Sequence, residues 1–173
     1  MIVLSHYTDE KPWTLLPKVK RPDQWVSLHK PYGLWLSVDS EDDWPAWCEG
    51  EGWGLERLKQ RHVFEIEKPE RIRMIGCVDE LDALHEQYAV ARNPEWEARW
   101  GREYVDWARV MQDHGGIIIT PYLWDRRLDG PGSRWYYSWD CASGCIWDLT
   151  AVRHVRSEPF DMDAICAALK QDA

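Results

Sequence analysis

The sequence predicts a mixed α+β domain, a single unit spanning residues 1–173. Three observations carry this expectation. Short apolar runs rich in β-branched residues, such as Ile2-Val3-Leu4 and Ile117-Ile118-Ile119, the second bounded by Gly116 and Pro121, read as buried strands. Between them Trp96, Trp100, Tyr104, Trp107 and Met111 recur at steps of four, four, three and four, the period of one helix face. The length suits one hydrophobic core and would cramp two.

Taken in order, residues 2–5 open a buried strand, and His6-Tyr7-Thr8 follows it directly. Pro17, Pro22 and Pro31 exclude a long helix over residues 13–31. Gly33 to Val38 is a second strand. The acidic, Trp-rich segment from Asp39 to Gly54 reads as a loop with one helical turn. His62 to Glu67 suits a strand edge, and Ile72 to Ile75 another strand. Asp79 offers an N-cap for a helix through about Arg92. Pro94 starts the helix that carries the aromatic stripe as core, and Gly115-Gly116 stops it before the isoleucine strand.

Residues 125–134 form a turn-rich hairpin link. Trp135 to Trp139 and Cys145 to Val155 complete six or so strands, and Asp161 caps a short helix through Leu169.

Composition narrows function. A net charge of −9 argues against broad binding along a nucleic-acid backbone, yet permits a small nucleotide in a local cleft. No stretch reaches the about eighteen apolar residues of a membrane span. The start, MIVLSHYTDE, lacks the pattern of a signal peptide. Five cysteines without a disulfide framework point to reduced thiols and a cytoplasmic location. Thirteen tryptophans against two phenylalanines exceed what one site uses, so some are structural.

Three short patches carry candidate chemistry, and each has a plain structural alternative. His6 either projects into a cleft to donate to a ribose hydroxyl or bonds a backbone carbonyl at a strand end. In Gly33-Leu34-Trp35-Leu36-Ser37, the glycine permits close approach to the backbone. Trp35 either stacks on a planar ring or packs in the core, and Ser37 binds an amide or phosphate. In Ser143-Gly144-Cys145-Ile146-Trp147-Asp148, the small residues either leave room for a ligand or let sheets pack closely.

Elsewhere, Glu41-Asp42-Asp43 is a solvated loop or, less simply, a metal site. Arg126, Arg127 and Arg134 either gather into an anion site or balance an acidic surface. The cysteine spacings form no zinc pattern.

Together, in this order, the three patches resemble motifs of the ADP-ribosyltransferase superfamily, in its poly(ADP-ribose) polymerase and diphtheria-toxin branch. The resemblance covers three short stretches and leaves the middle of the chain unmatched. It implies two small, mostly antiparallel sheets forming a cleft with flanking helices, in which NAD binds as substrate. His6 would hold the nicotinamide ribose, Thr8 would lie near the adenosine side, and the Gly33 backbone would pair with the carboxamide beside Leu34. Tyr7, Trp35, Trp44 or Trp47 would stack on the nicotinamide.

The family's glutamate is replaced here by Ser143, which cannot offset a developing positive charge. Asp140 is the nearest substitute, so His6 and Asp140 are the candidate catalytic pair. The implied activity is transfer of ADP-ribose to a protein or nucleic-acid acceptor with release of nicotinamide, in a small effector of bacterial or phage type. Related readings are an NAD glycohydrolase and an RNA 2′-phosphotransferase. The alternative of another class is an inactive module that binds a nucleotide or partner on the same fold.

Overall fold

The computed structural model describes residues 2–9, 29–128 and 134–162. The proline-rich segment, the centre of the 125–134 link and the helix expected after Asp161 lie outside the described residues, except for their ends.

The strands are β1 (Leu4–Thr8), β2 (Leu34–Val38), β3 (Gln60–Ile66), β4 (Ile72–Ile75), β5 (Ala89–Val90), β6 (Tyr104–Val105), β7 (Gly116–Ile119), β8 (Ser143–Ile146) and β9 (Val152–Pro159). The helices are α1 (Trp44–Glu51), α2 (Val78–Tyr88), α3 (Pro94–Trp100), α4 (Trp107–Asp113) and α5 (Trp124–Leu128). The fold is α+β. Seven strands form one mixed sheet in the order β4-β7-β8-β2-β1-β3-β9, and β5 pairs with β6 apart from it. Only the β4–β7 pair of the large sheet is parallel.

Two small sheets facing across a cleft are therefore not what forms. A single sheet carries all three sequence patches, nearly divided at one joint. β1 meets β2 at only two register pairs, Leu4 with Val38 and Ser5 with Ser37. Yet β1 stays paired with β3 as far as Thr8, and β2 with β8 as far as Leu34. Beyond Ser5 the two strands part, and the gap opens there.

Several elements differ from the sequence expectation. His6-Tyr7-Thr8 lies within β1 rather than after it, because the ladder with β3 continues through the triplet. β3 is interior, flanked by β1 and β9. The expected helical turn after Asp39 is the full helix α1, begun by the Asp43 side chain accepting from Ala46 N–H, with Pro45 in its first turn. α2 has Cys77 rather than Asp79 at its N-cap and ends at Tyr88, where Ala89 and Val90 turn extended to pair with β6.

The aromatic stripe is not one core helix. Gly101, at φ 75°, ends α3, Tyr104 and Val105 form a strand, and Asp106 caps α4. Trp107 is buried while Trp100 is 47% exposed, so the stripe divides between core and surface. Trp135 to Trp139 is not a strand either; it is built around the 3-10 turn Tyr136–Ser138, with Trp135, Tyr136 and Trp139 packed into the core and Tyr137 left exposed. The expected strand from Cys145 to Val155 breaks after Ile146. There the N–H groups of Trp147 and Asp148 both donate to the Gly115 carbonyl, and a 3-10 turn at Leu149–Ala151 leads into β9.

One core cluster joins Leu4, Leu36, Phe64 and Ile118 of the sheet to Leu84 of α2 and Trp107 of α4. β9 lies at an outer margin of the seven strands, with a register shift opposite Val63 and Phe64. Among the described residues no helix is long and apolar enough to cross a membrane.

Candidate functional site

The gap between β1 and β2 is the floor of a cavity of about 370 Å³, within the roughly 300–1,000 Å³ usual for small-molecule sites. His6 and Tyr7 line it from β1, and Trp35 and Ser37 from β2. Ser143 of β8 and the preceding Asp140 complete that side. Trp44 of α1, with Trp53, Gly54 and Arg57 beyond the helix, forms the opposite wall. Seven residues singled out from sequence thus share one cavity.

Four do not line it. Thr8 ends β1 opposite Gln60. Leu34 is a core residue. Gly33 does allow a close approach, but by the chain itself: a Cβ there would lie 2.6 Å from the Ile146 carbonyl oxygen and 2.7 Å from Cys145 Sγ. That backbone packs against β8. Trp47 stands behind the wall, stacked on Trp44 with centroids 4.8 Å apart and 12° between planes.

The alternatives left by the sequence resolve as combinations. His6 Nδ1 lies 3.0 Å from the Trp35 carbonyl, bridging the strands where the ladder has opened, and the same ring borders the cavity. A carbonyl only accepts, so Nδ1 carries the hydrogen and Nε2 is the acceptor nitrogen. Burial pushes the His6 pKa below its ordinary value, against the opposing effect of the bond to Trp35. The neutral ring therefore has acceptor rather than donor character at Nε2. Trp35 both borders the cavity and packs edge-on against core Trp139, at 4.8 Å and 64°. Ser143 faces the cavity, whereas Gly144 serves packing: a Cβ there would lie 2.6 Å from Ile118 Cγ1 and 2.7 Å from the Ile117 carbonyl.

Ser37 and Ser143 are direct cross-strand partners and so project from the same face. Their hydroxyls are committed in opposite senses. Ser37 Oγ accepts from Trp44 N–H at 2.8 Å, which leaves its own proton to give. Ser143 donates to the Cys141 carbonyl at 3.0 Å, which leaves its oxygen to accept. The floor of the cavity thus offers one donor beside one acceptor.

Charge is concentrated at Asp140. Lys30 Nζ lies 3.2 Å from its Oδ2 and Arg127 Nη2 4.0 Å from its Oδ1. Lys30 Nζ also sits 5.2 Å from the centroid of the Trp35 ring. A carboxylate compensated from two sides is a weaker partner for any positive charge that develops nearby.

Burial, reinforced by Asp39, keeps the Tyr7 phenol protonated. The Cys141 thiol is pushed by burial up to about 12, so it is no nucleophile at neutral pH. Asp148 caps the turn at Thr150 and pairs with Arg71 at 3.4 Å, away from the cavity. Arg126, Arg127 and Arg134 pair separately with Asp82, Asp140 and Glu103, so they balance acidic groups and form no common anion site. Among the described residues no cluster of three or more His, Cys, Asp or Glu side chains is arranged to hold a metal.

Sequence reasoning missed Lys30, Trp53 and Arg57. Trp53 had a signal, as the last tryptophan of the acidic segment; Lys30 and Arg57 had none, since only the tertiary fold brings them to the cavity. No protein-family model matches the chain, and comparisons with curated proteins and with solved structures return no match.

Proposed function

We propose that the cavity is a nucleotide-binding site that takes the nicotinamide half of NAD. The observation that carries this reading is the convergence of His6, Trp35, Ser37 and Ser143, from three strands, on one aromatic-walled space. A primary carboxamide presents an acceptor oxygen beside donor N–H groups, the complement of the Ser37 donor and Ser143 acceptor. The Trp35 and Trp44 rings supply apolar faces for a flat heterocycle. His6 Nε2 supplies an acceptor for a ribose hydroxyl.

NAD is expected to quench tryptophan fluorescence saturably. Ser37→Ala should weaken that binding about tenfold through the lost hydrogen bond. Absence of saturable quenching or of calorimetric heat at millimolar NAD would dismiss the reading.

A second reading, transfer of ADP-ribose, is favoured by the presence of Asp140 in the same cavity as His6. In that reaction the C–N bond between ribose and nicotinamide breaks, and its electron pair leaves with nicotinamide. An acceptor nucleophile, or water, bonds the ribosyl carbon and loses a proton. Asp140 stabilises the cationic state between these events only to the extent that Lys30 and Arg127 leave its charge uncompensated. Binding without turnover is therefore the better-supported conclusion. Measured release of nicotinamide, lost in both His6→Ala and Asp140→Asn, would establish the transferase instead.

A further inference from the structure

The Lys30 ammonium occupies a place that a ligand ring needs. It lies 5.2 Å from the Trp35 centroid, within the range of a cation–π contact, and 3.2 Å from Asp140 Oδ2. All three residues line the cavity. A flat ring that stacks on Trp35 from the cavity side must displace this ammonium. Arg127, on the other oxygen of Asp140, keeps the carboxylate partly compensated when Lys30 leaves, which lowers the cost of that movement.

We propose that Lys30 is a resident cation over Trp35, displaced on binding, and that the surface it vacates, an indole face beside a carboxylate, selects aromatic rings that carry positive charge. The inference rests on the nucleotide reading and adds to it a specificity residue and a charge preference. Recognition of this kind combines the ring quadrupole with an opposite charge at short range. A neutral ring gains only the stacking, and must still displace Lys30.

The test compares a charged probe, 1-methylnicotinamide, with neutral nicotinamide and with NAD, by fluorescence quenching and calorimetry. Wild type, Lys30→Met, Lys30→Arg and Asp140→Asn serve as the proteins. The side chain of Lys30 is 37% exposed, so its replacement should not compromise folding.

The charged probe should bind wild type roughly three- to tenfold more tightly than the neutral one. Lys30→Met should tighten both probes, the charged one more. Lys30→Arg, whose guanidinium stacks on the indole and can pair bidentately with Asp140, should weaken both probes, and Asp140→Asn should erase the charge preference. Equal binding of the two probes by wild type, or weaker binding of either by Lys30→Met, overturns the proposal. If NAD still binds in that event, the nucleotide reading stands alone; if no probe binds any of the four proteins, both fall.

Discussion

Two groups of tryptophans in this protein do opposite things. Trp107, Trp135 and Trp139 are fully buried and meet edge to face, at 79° between the first two and 87° between the last two. Their indole N–H groups have no hydrogen-bond partner among the described residues. Trp44, Trp47 and Trp53 sit around α1. The first two are stacked and half-buried, and Trp53 is 51% exposed. Polar and charged side chains accompany this second group, with Ser37 below it and Arg57 over Trp53 at 5.7 Å. Residue type alone does not separate the two roles; exposure and the company of polar groups do.

The comparison breaks most readily on stability. Trp135→Ala should cost about 3–5 kcal/mol, as large-to-small changes of buried aromatics do, whereas Trp53→Ala should cost under about 1 kcal/mol while reducing NAD quenching. Equal shifts in the urea midpoint would show that the wall is core after all. A smaller effect tests the division of labour in β8. Gly144→Ala must push its new methyl against the Ile117 backbone and should cost roughly 1–3 kcal/mol without a ligand contact of its own, while Ser143→Ala, which loses the bond to the Cys141 carbonyl, should cost about 1 kcal/mol and also weaken the ligand. Ser37→Ala removes the acceptor for Trp44 N–H and should lower stability by about 1 kcal/mol. Faster hydrogen exchange at the Trp44 amide is the direct readout, and unchanged exchange would show that α1 is held elsewhere.

The gentlest test is pH. Burial lowers the pKa of His6, His62, His85 and His114 in the folded state. The unfolded chain, with ordinary values near 6.5, therefore takes up protons first as the solution is acidified. Stability should be full above about pH 6.5 and decline as pH falls from there through the lowered values. Urea midpoints at several pH values from neutral to acidic measure it; a midpoint that holds or rises on acidification would contradict the neutral state of these rings.

These contrasts also mark what was legible in the sequence. β2, β4 and β7 were legible because a short apolar run between Gly, Pro or charged residues has few other outcomes. Much of the cavity was legible too, since His6, Trp35 and Ser143 occupy strand segments whose partners bring them together. The aromatic stripe misled because a period of three to four residues persists across Gly101, and period alone does not reveal that the backbone turns there. α1 was underread although Asp43 and Pro45 spell a helix start. Close approach to a glycine does not say what approaches, and at Gly33 the neighbour is β8 of the same chain. Lys30 belongs to no periodic element, and its meeting with Asp140, 110 positions later, is a property of the tertiary fold alone.

The margin formed by β9 has a consequence for how these molecules behave in company. Eight residues of sheet border would ordinarily template the addition of strands from other copies. Here Arg153 reaches Glu65 and Glu67, and Arg156 is paired with Glu158, so an arriving strand must pass a fence of satisfied charges. The register irregularity beside Val63 further spoils a straight template. A chain that carries thirteen indoles is thereby discouraged from growing fibrils at this border.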